Sequence, residues 1–513
     1  MRSGLPDIPF RPTLPELLHR AAERFGDADY VVLRDSRISF AGAETASAAL
    51  AKRLLASGVG KGTHMGIILP TGIDWLVAWL ACARVGTMPM LFPATYRPAE
   101  LRRALRIGDV ALLLAGRTLL GKDYEAFLEE AVPHLAGHGG GPIHDPQLPY
   151  LRQIWMLGGS DRSWATPIDP MSPVPDEVSD ELLAAVESEV SPADPLLVMY
   201  TSGSSADPKA VVHTHGAAIR KVQAELGMCL PGSLPGRTFC AMPFFWVGGP
   251  QDLLGALHSG AAVVTQERFD ASGCLDLLER ERCTSILGWA NALDQVRADP
   301  TYSLRDLSAL ASPTPPEPPV LSSRGDPPNL GMTETFGPHA NPDWFDYKVI
   351  DPETGEQLED GEEGEFCVRG FGLMAGMYKR EREEVFDAEG WYHTGDRGYI
   401  EDGRIWFRGR YSEMAKVGGA NVSPLEVERV LDSFPEVRMA FVVGVPDGAL
   451  GEVVAAAVVP APGVEIDVDD LRHRANKELS AHKVPARWLV LNEELVPWLG
   501  SGKPDKRALR DRF

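Results

Sequence analysis

The run Leu196-Leu-Val-Met-Tyr200-Thr-Ser-Gly-Ser-Ser205-Ala-Asp-Pro-Lys209-Ala-Val-Val-His-Thr-His215 changes character twice. Its opening residues are apolar and read as a buried strand. Thr201, Ser202, Gly203, Ser204 and Ser205 are small or hydroxylated, and after Pro208 and Lys209 the β-branched Val211 and Val212 restore strand character. A loop of Ser, Thr and Gly can turn its N–H groups inward and add hydroxyl donors, making a hollow for an anion, with Lys209 supplying positive charge beside it. Phosphate suits such a hollow, and a plain polar hairpin turn accounts for the same composition. The run does not match the Gly-x-x-x-x-Gly-Lys-Ser/Thr loop, because Lys209 is followed by Ala210 and an apolar stretch.

Strand and helix patterns alternate upstream of this run. Helical spacing covers residues 14–25, 43–57 and 73–84, and short strands read at 30–33, 39–40, 65–69 and 88–92. Such alternation predicts an α/β fold with a largely parallel sheet. Residues 137–180, rich in Gly, Pro and Asp, read as a long surface excursion, and residues 311–329, loop-like, hold seven prolines that argue against helix. A boundary is expected near residues 410–416. Beyond it, Ser423-Pro-Leu-Glu426 reads as a capping box with Pro at the first helical position, followed by strands at 437–445 and 452–459, a helix at 468–479 and a strand around 488–491. The expected division is a large N-terminal domain over 1–410 and a small, mobile C-terminal domain over 411–513.

With 513 residues, 44% of them hydrophobic and 24% charged, the chain has the composition of a globular protein with a large core. A formal net charge of −22 argues against nucleic-acid or anionic-membrane binding through bulk charge, so an anionic ligand must be held by local donors. Cys82, Cys229, Cys240, Cys274, Cys283 and Cys367 are scattered without a Cys-x-x-Cys pair, which predicts reduced thiols and a cytoplasmic setting. The N-terminus lacks an apolar signal region. The longest apolar stretch, near Trp75 to Val85, is interrupted by Arg84 and predicts a core helix, not a membrane span.

Four further segments carry candidate chemistry: Asn329-Leu-Gly-Met-Thr-Glu-Thr335, Trp391-Tyr-His-Thr-Gly-Asp396, Arg408-Gly-Arg410 and Gly500-Ser-Gly-Lys503. Each alone has a bland account as a turn, a solvated carboxylate or a polar tail. Together, in this order, they resemble the ANL superfamily of adenylate-forming enzymes, which includes acyl-CoA and aryl-CoA synthetases, nonribosomal adenylation domains and beetle luciferases. The resemblance runs from about residue 12 to 510.

The resemblance implies a two-step reaction. A carboxylate attacks the α-phosphorus of ATP and expels pyrophosphate, and a second nucleophile, usually a thiol, takes the acyl group. It assigns Thr201, Ser202, Gly203, Ser204, Ser205 and Lys209 to the β- and γ-phosphates. Glu334 is assigned to Mg2+, Thr333 to the α-phosphate, and Asp396 and Arg410 to the ribose. Leu330, Gly331 and Met332 lie on the adenine side. Lys503 bridges carboxylate and α-phosphate in the first step, so closure of the small domain must deliver it. In this family the small domain then rotates, about a pivot here at Ser412, and presents the loop of Lys416, Gly418 and Gly419 for the second step.

The chain departs from the pattern at Ala206 and Ala210, where Gly is usual. It also departs at Leu330, where an aromatic stacks on adenine, at Trp246, where acyl-CoA synthetases often have His, and in Pro497-Trp-Leu-Gly500. Amino-acid-activating relatives place an Asp in the motif that here reads Phe244-Phe245-Trp246, so the expected acid lacks an α-ammonium: fatty, branched or aryl. Phe245, Trp246, Gly248, Gly249, Met332 and Trp289 are pocket candidates, core packing being the other account of Trp289. The expected acceptor is CoA. A separate carrier-protein thiol, an amine or another nitrogen nucleophile is the alternative, and a nucleotide-binding protein without catalysis a third reading, against which Glu334, Asp396 and Lys503 speak.

Overall fold

The computed structural model describes residues 8–119, 121–168, 178–201, 208–226, 236–288, 290–310, 345–401, 404–410, 414–497 and 504–513. The strand expected at 196–200 is Pro195–Thr201, and it lies at the change of direction in an eight-stranded sheet. The order is Gly376–Met377, Lys209–Thr214, Pro195–Thr201, Met88–Leu91, His64–Ile68, Leu112–Gly116, Gln153–Leu157, Ala165–Ile168. From Pro195–Thr201 onward neighbours are parallel, whereas Lys209–Thr214 and Gly376–Met377 are antiparallel additions.

A second sheet has the order Ser285–Leu287, Arg237–Cys240, Ala262–Val264, Asp29–Val32, Arg37–Ser39, parallel except for its last pair. Helices Leu14–Phe25, Phe40–Ala56, Ile73–Val85 and Gly248–Ser259 share one apolar cluster with residues of both sheets, among them Met65, Ile67, Leu91, Val31 and Val263. The Ile73–Val85 helix is buried from Trp75 to Val85, as a helix between two sheets must be. On the first sheet's other face, the alternate residues Ile68, Met90, Leu113, Ile154 and Val198 pack under helices Pro98–Ile107 and Tyr124–Ala131. A four-stranded antiparallel sheet, Asp346–Ile350, Gly364–Arg369, Tyr392–Glu401, Arg404–Arg410, completes the large N-terminal domain.

In the small C-terminal domain, strands Val437–Asp447 and Gly451–Pro460 form a long antiparallel pair, with Arg487–Val490 parallel to the second. Alternation splits its residues between two faces. Ala440, Val442, Val454, Ala456 and Val458 pack on Val427 and Leu431 of helix Pro424–Asp432 and on Leu471 and Ala475 of helix Val468–Glu478. Phe441, Ala457 and Val459 pack on Leu491, Val496 and Leu509 on the opposite face.

Two expectations are corrected. Residues 137–180 are not only a surface excursion, because Gln153–Leu157 and Ala165–Ile168 extend the parallel sheet, with Ile154, Trp155, Met156 and Leu157 buried. The strand is short and sits among turn-forming residues, so composition over a long window concealed it. Nor does Ser423-Pro-Leu-Glu426 form a capping box. Pro424 opens the helix and Ser423 sits at its N-cap, but the serine makes no side-chain cap, and its buried hydroxyl has no hydrogen-bond partner among the described residues. Glu426 reaches instead to Lys483, 2.8 Å away.

Candidate active site

Three parallel strands of the first sheet end on one side of the cleft. At or just past their carboxyl ends come Thr71, the segment from Pro93 to Tyr96, and Thr201. The strands Arg237–Cys240 and Ala262–Val264 of the second sheet deliver Ala241, Met242 and Thr265 to the same region. The carboxyl ends of parallel strands are where α/β folds hold ligands, since side chains there are free of the ladder and the loops can diverge.

Two hollows occupy this place. A cavity of about 150 Å³ lies between the sheets, walled by Phe239, Ala241, Met242, Pro243, Phe245 and Thr71, with the exposed Glu267 and Arg268 marking its open end. A smaller cavity of about 70 Å³ lies between the domains. Tyr200, Thr201, Pro208, Trp246 and Tyr96 line it from the large domain, and Ala420, Asn421, Glu426, His482 and Lys483 from the small one. Thr95 lines both, and Phe245 and Trp246, adjacent in sequence with rings edge-to-face at 6.0 Å, face one cavity each.

The strands on either side of the Ser/Gly run, Pro195–Thr201 and Lys209–Thr214, pair antiparallel. Thr201 and Lys209 are the last cross-strand pair before the loop, with Thr201 exposed and Lys209 partly so. Ser202, Gly203, Ser204 and Ser205 fall outside the described residues. So do Leu330, Gly331, Met332, Thr333, Glu334, Trp289, Ser412 and Lys503. Among the described residues no group of three or more His, Cys, Asp or Glu side chains is placed to hold a metal ion.

Asp396 and Arg410, from consecutive motifs, are direct cross-strand partners of strands Tyr392–Glu401 and Arg404–Arg410. The Asp396 carboxylate is buried at 5% exposure, and its N–H donates to the Thr394 hydroxyl at 3.0 Å, which fixes the Thr-Gly-Asp turn. Lys416 lies on strand Ala415–Val417, whose N–H at 416 donates to Glu452. Strand Ala420–Val422 follows, and the connecting Gly418 and Gly419 have φ of 57° and 90°. Two consecutive left-handed residues make the tight turn that matches strand twist, which explains the paired glycines without reference to a ligand. This hairpin carries Ala420 and Asn421 to the inter-domain cavity.

Gly248 and Gly249 begin the Gly248–Ser259 helix and line neither cavity. A Cβ at Gly249 would lie 2.6 Å from the Phe244 Cα, and one at Gly248 would lie 2.8 Å from the Met242 side chain. They let the helix start directly against the segment that walls the larger cavity. Sequence reading passed over Thr71, Thr95, Tyr96, Met242, Glu100 and Lys483. The ends of the parallel strands were a usable signal for the first four. Glu100 and Lys483 meet only through domain packing.

The family model of AMP-binding enzymes matches residues 18–378, and that of the AMP-binding enzyme C-terminal domain matches 426–503. The chain belongs to the AMP-binding enzyme family. The acyl-CoA ligase SID4 of Ajellomyces capsulatus is 30% identical to this AMP-binding enzyme over 561 aligned residues, covering 97% of this chain and 91% of the relative. A feruloyl-CoA synthase of Amycolatopsis sp is 29% identical over 499 residues, covering 91% and 92%. In fold, the amide bond synthetase McbA from Marinactinospora thermotolerans aligns with a TM-score of 0.75 over 97% of this chain and 99% of that one, at 24% identity. The o-succinylbenzoate CoA synthetase from Bacillus subtilis aligns with a TM-score of 0.74, covering 97% and 98%, at 22% identity.

Proposed function

We propose that this AMP-binding enzyme activates a fatty, branched or aryl carboxylic acid with ATP and passes the acyl group to the thiol of CoA, releasing pyrophosphate and then AMP. The observation that carries the reading is the junction of the two cavities at Thr95. An apolar hollow of about 150 Å³ suits the body of an acid, and beside it lies a second opening bounded by Trp246, Thr201 and the small-domain hairpin. Phe239, Ala241, Met242 and Phe245 offer contact without charge, which suits an acid lacking an α-ammonium.

In this reading Thr201, Ser202, Gly203, Ser204, Ser205 and Lys209 hold the β- and γ-phosphates at the mouth of the hairpin. Thr333 takes the α-phosphate, Asp396 with Arg410 the ribose, and Leu330, Gly331 and Met332 the adenine side. Mg2+ enters with ATP, with Glu334 as its carboxylate, and supplies neutralisation of phosphate charge. Trp289 remains a pocket candidate, and Gly248 and Gly249 shape the pocket wall. The domain divide falls between Arg410 and Tyr411, with the pivot at Ser412.

Two anions must meet in the first step, so the reaction needs a cation placed between them more than it needs covalent help. Lys503 is that cation. The segments flanking it pack on the small-domain face opposite helices Pro424–Asp432 and Val468–Glu478: Val496 and Leu509 join Phe441 there, and the Asp505 N–H donates to the Pro497 carbonyl. The helix Val468–Glu478 packs against Pro98–Ile107 of the large domain, and the Gly418–Gly419 hairpin stands at the cleft. We therefore read this domain arrangement as the one for the second step, with rotation bringing Lys503 in for the first.

Cys82, Cys240, Cys274, Cys283 and Cys367 are buried free thiols, which supports a cytoplasmic enzyme. No helix among the described residues is long and apolar enough to cross a membrane. Pyrophosphate exchange across a panel of carboxylic acids tests the first step, and no exchange with any acid would refute adenylation. Mass spectrometry of products with and without CoA tests the acceptor, and a product indifferent to CoA would replace it by a carrier thiol or nitrogen nucleophile. Lys503→Ala is expected to lose exchange while retaining ATP binding, and unchanged exchange would remove Lys503 from its role.

A further inference from the structure

Where the domains meet, a lysine and two carboxylates are buried together. Lys483 is 8% exposed, and Glu100 and Glu426 are each 5% exposed. The Lys483 ammonium donates to Glu100 Oε1 at 2.7 Å and to Glu426 Oε1 at 2.8 Å. Glu100 Oε2 accepts from the Arg97 N–H at 2.8 Å and from the Ser480 hydroxyl at 2.5 Å. Arg97 in turn donates to the Leu479 carbonyl at 3.1 Å and to Asn476 Oδ1 at 2.6 Å. Every one of these contacts except Lys483–Glu426 and Arg97–Glu100 crosses from one domain to the other.

The partition of charge between the domains is the informative part. Removing one member of a buried ion cluster ordinarily strands the others in a dry site. Here Lys483 and Glu426 belong to the same domain, so separation leaves them as a neutral pair, while Glu100 keeps its Arg97 N–H and gains water. Opening therefore isolates no buried charge, and the desolvation cost of closing roughly offsets the pairing gained. That suits a contact made and broken in every turnover. Glu426 also stands where it could complete a capping box with Ser423; it does not, and among the described residues the buried Ser423 hydroxyl has no hydrogen-bond partner. A local interaction is given up to build the inter-domain one. Glu100, Glu426 and Lys483 line the same cavity as Trp246, Ala420 and Asn421, so the cluster adjoins the hairpin of Lys416 at the cleft.

We propose that Glu100 and Lys483 are positioning residues for the thiol-transfer step, latching the small domain in the arrangement that holds the Lys416 hairpin at the cleft. The proposal rests on the two-step reading above. Glu100→Gln is the test variant, because it keeps the shape and leaves Lys483–Glu426 intact within the small domain. Expected are pyrophosphate exchange within about twofold of wild type and thioester formation from the same acid and CoA lowered about tenfold or more, through kcat and not the KM for ATP. Hydrogen exchange on the full-length protein should quicken in residues 98–107 and 476–483. Lys483→Met should show the same split if it folds, as circular dichroism will show. Equal losses in both half-reactions, or wild-type thioester formation with unchanged hydrogen exchange, would overturn the latch. Wild-type protein that exchanges pyrophosphate with no acid would refute the two-step reading instead, and hydrogen exchange alone would then decide whether the domains are latched.

Discussion

Two charge clusters built around a buried cation use similar chemistry to opposite ends. In the first, the Arg84 guanidinium, 1% exposed, pairs with Glu44 and Glu187 and donates to the Ser47 hydroxyl at 2.9 Å, while His19 bridges the same two carboxylates. All its members belong to the large domain and tie helices Leu14–Phe25, Phe40–Ala56, Ile73–Val85 and Asp180–Glu189 together. In the second, Lys483 serves Glu100 and Glu426 across the domain boundary. Burial alone would raise Glu100 and lower Lys483; their mutual attraction outweighs it, holding the carboxyl below and the ammonium above their usual ranges. The difference lies in where the partners are anchored. A cluster within one domain cannot open without unfolding, whereas one split between domains can.

The largest loss is expected for Arg84→Met, which takes the buried cation from Glu44 and Glu187 and leaves them only the partly exposed His19. Unfolding by urea should show a loss of about 2–3 kcal/mol, less than for a fully stranded buried charge, with both half-reactions falling together as the folded fraction falls. Asp252 sharpens the comparison. It is buried beside the Cys240 thiol with no cation next to it among the described residues, and burial, only partly offset by that thiol, pushes it up to about 7. A raised carboxyl favours the fold below its ordinary range near 3.8, and that stability is lost as pH rises through 7. Asp252→Asn should therefore gain on the order of 1–3 kcal/mol at pH 8 relative to wild type and nothing at pH 4, read by melts across pH.

A smaller effect belongs to His19. Hydrogen bonds to Glu187 and then Glu44 raise it from 6.5 to about 9. Its stabilisation is complete below pH 6.5 and is lost as pH rises through 9. Because the ring is 39% exposed, solvent screening holds this to about 1 kcal/mol, and His19→Gln should flatten that slope. The smallest change in global stability is expected for Glu100→Gln, within about 1 kcal/mol by thermal melt, since the small domain can release instead of unfolding. A loss there as large as that of Arg84→Met would erase the distinction between the clusters.

Much of this was legible in the chain. The period of apolar residues located Ile73–Val85, Met88–Leu91 and Val437–Asp447, because burial on one face or on both imposes that period whatever the fold. Asp396 and Arg410, expected from the motifs to serve one ligand, are cross-strand neighbours in the backbone, which leaves their role as proposed. The strands at Gln153–Leu157 and Ala165–Ile168 escaped notice because four or five residues between turn formers carry too little pattern. Ser423-Pro-Leu-Glu426 misled because a capping box is a local rule, and Glu426 answers to a lysine 57 residues away.

By itself the sequence determined the alternating α/β order, the two-domain division and the residue types of an AMP-binding enzyme, since these follow from periodicity and from local motif chemistry. Only the tertiary structure decided that Thr71, Thr95 and Met242 wall a cavity, that Gly248 and Gly249 pack rather than line it, and that Glu100, Glu426 and Lys483 share one buried site. The physical reason is range: periodicity acts within one element, whereas burial and charge pairing depend on which elements the fold brings together.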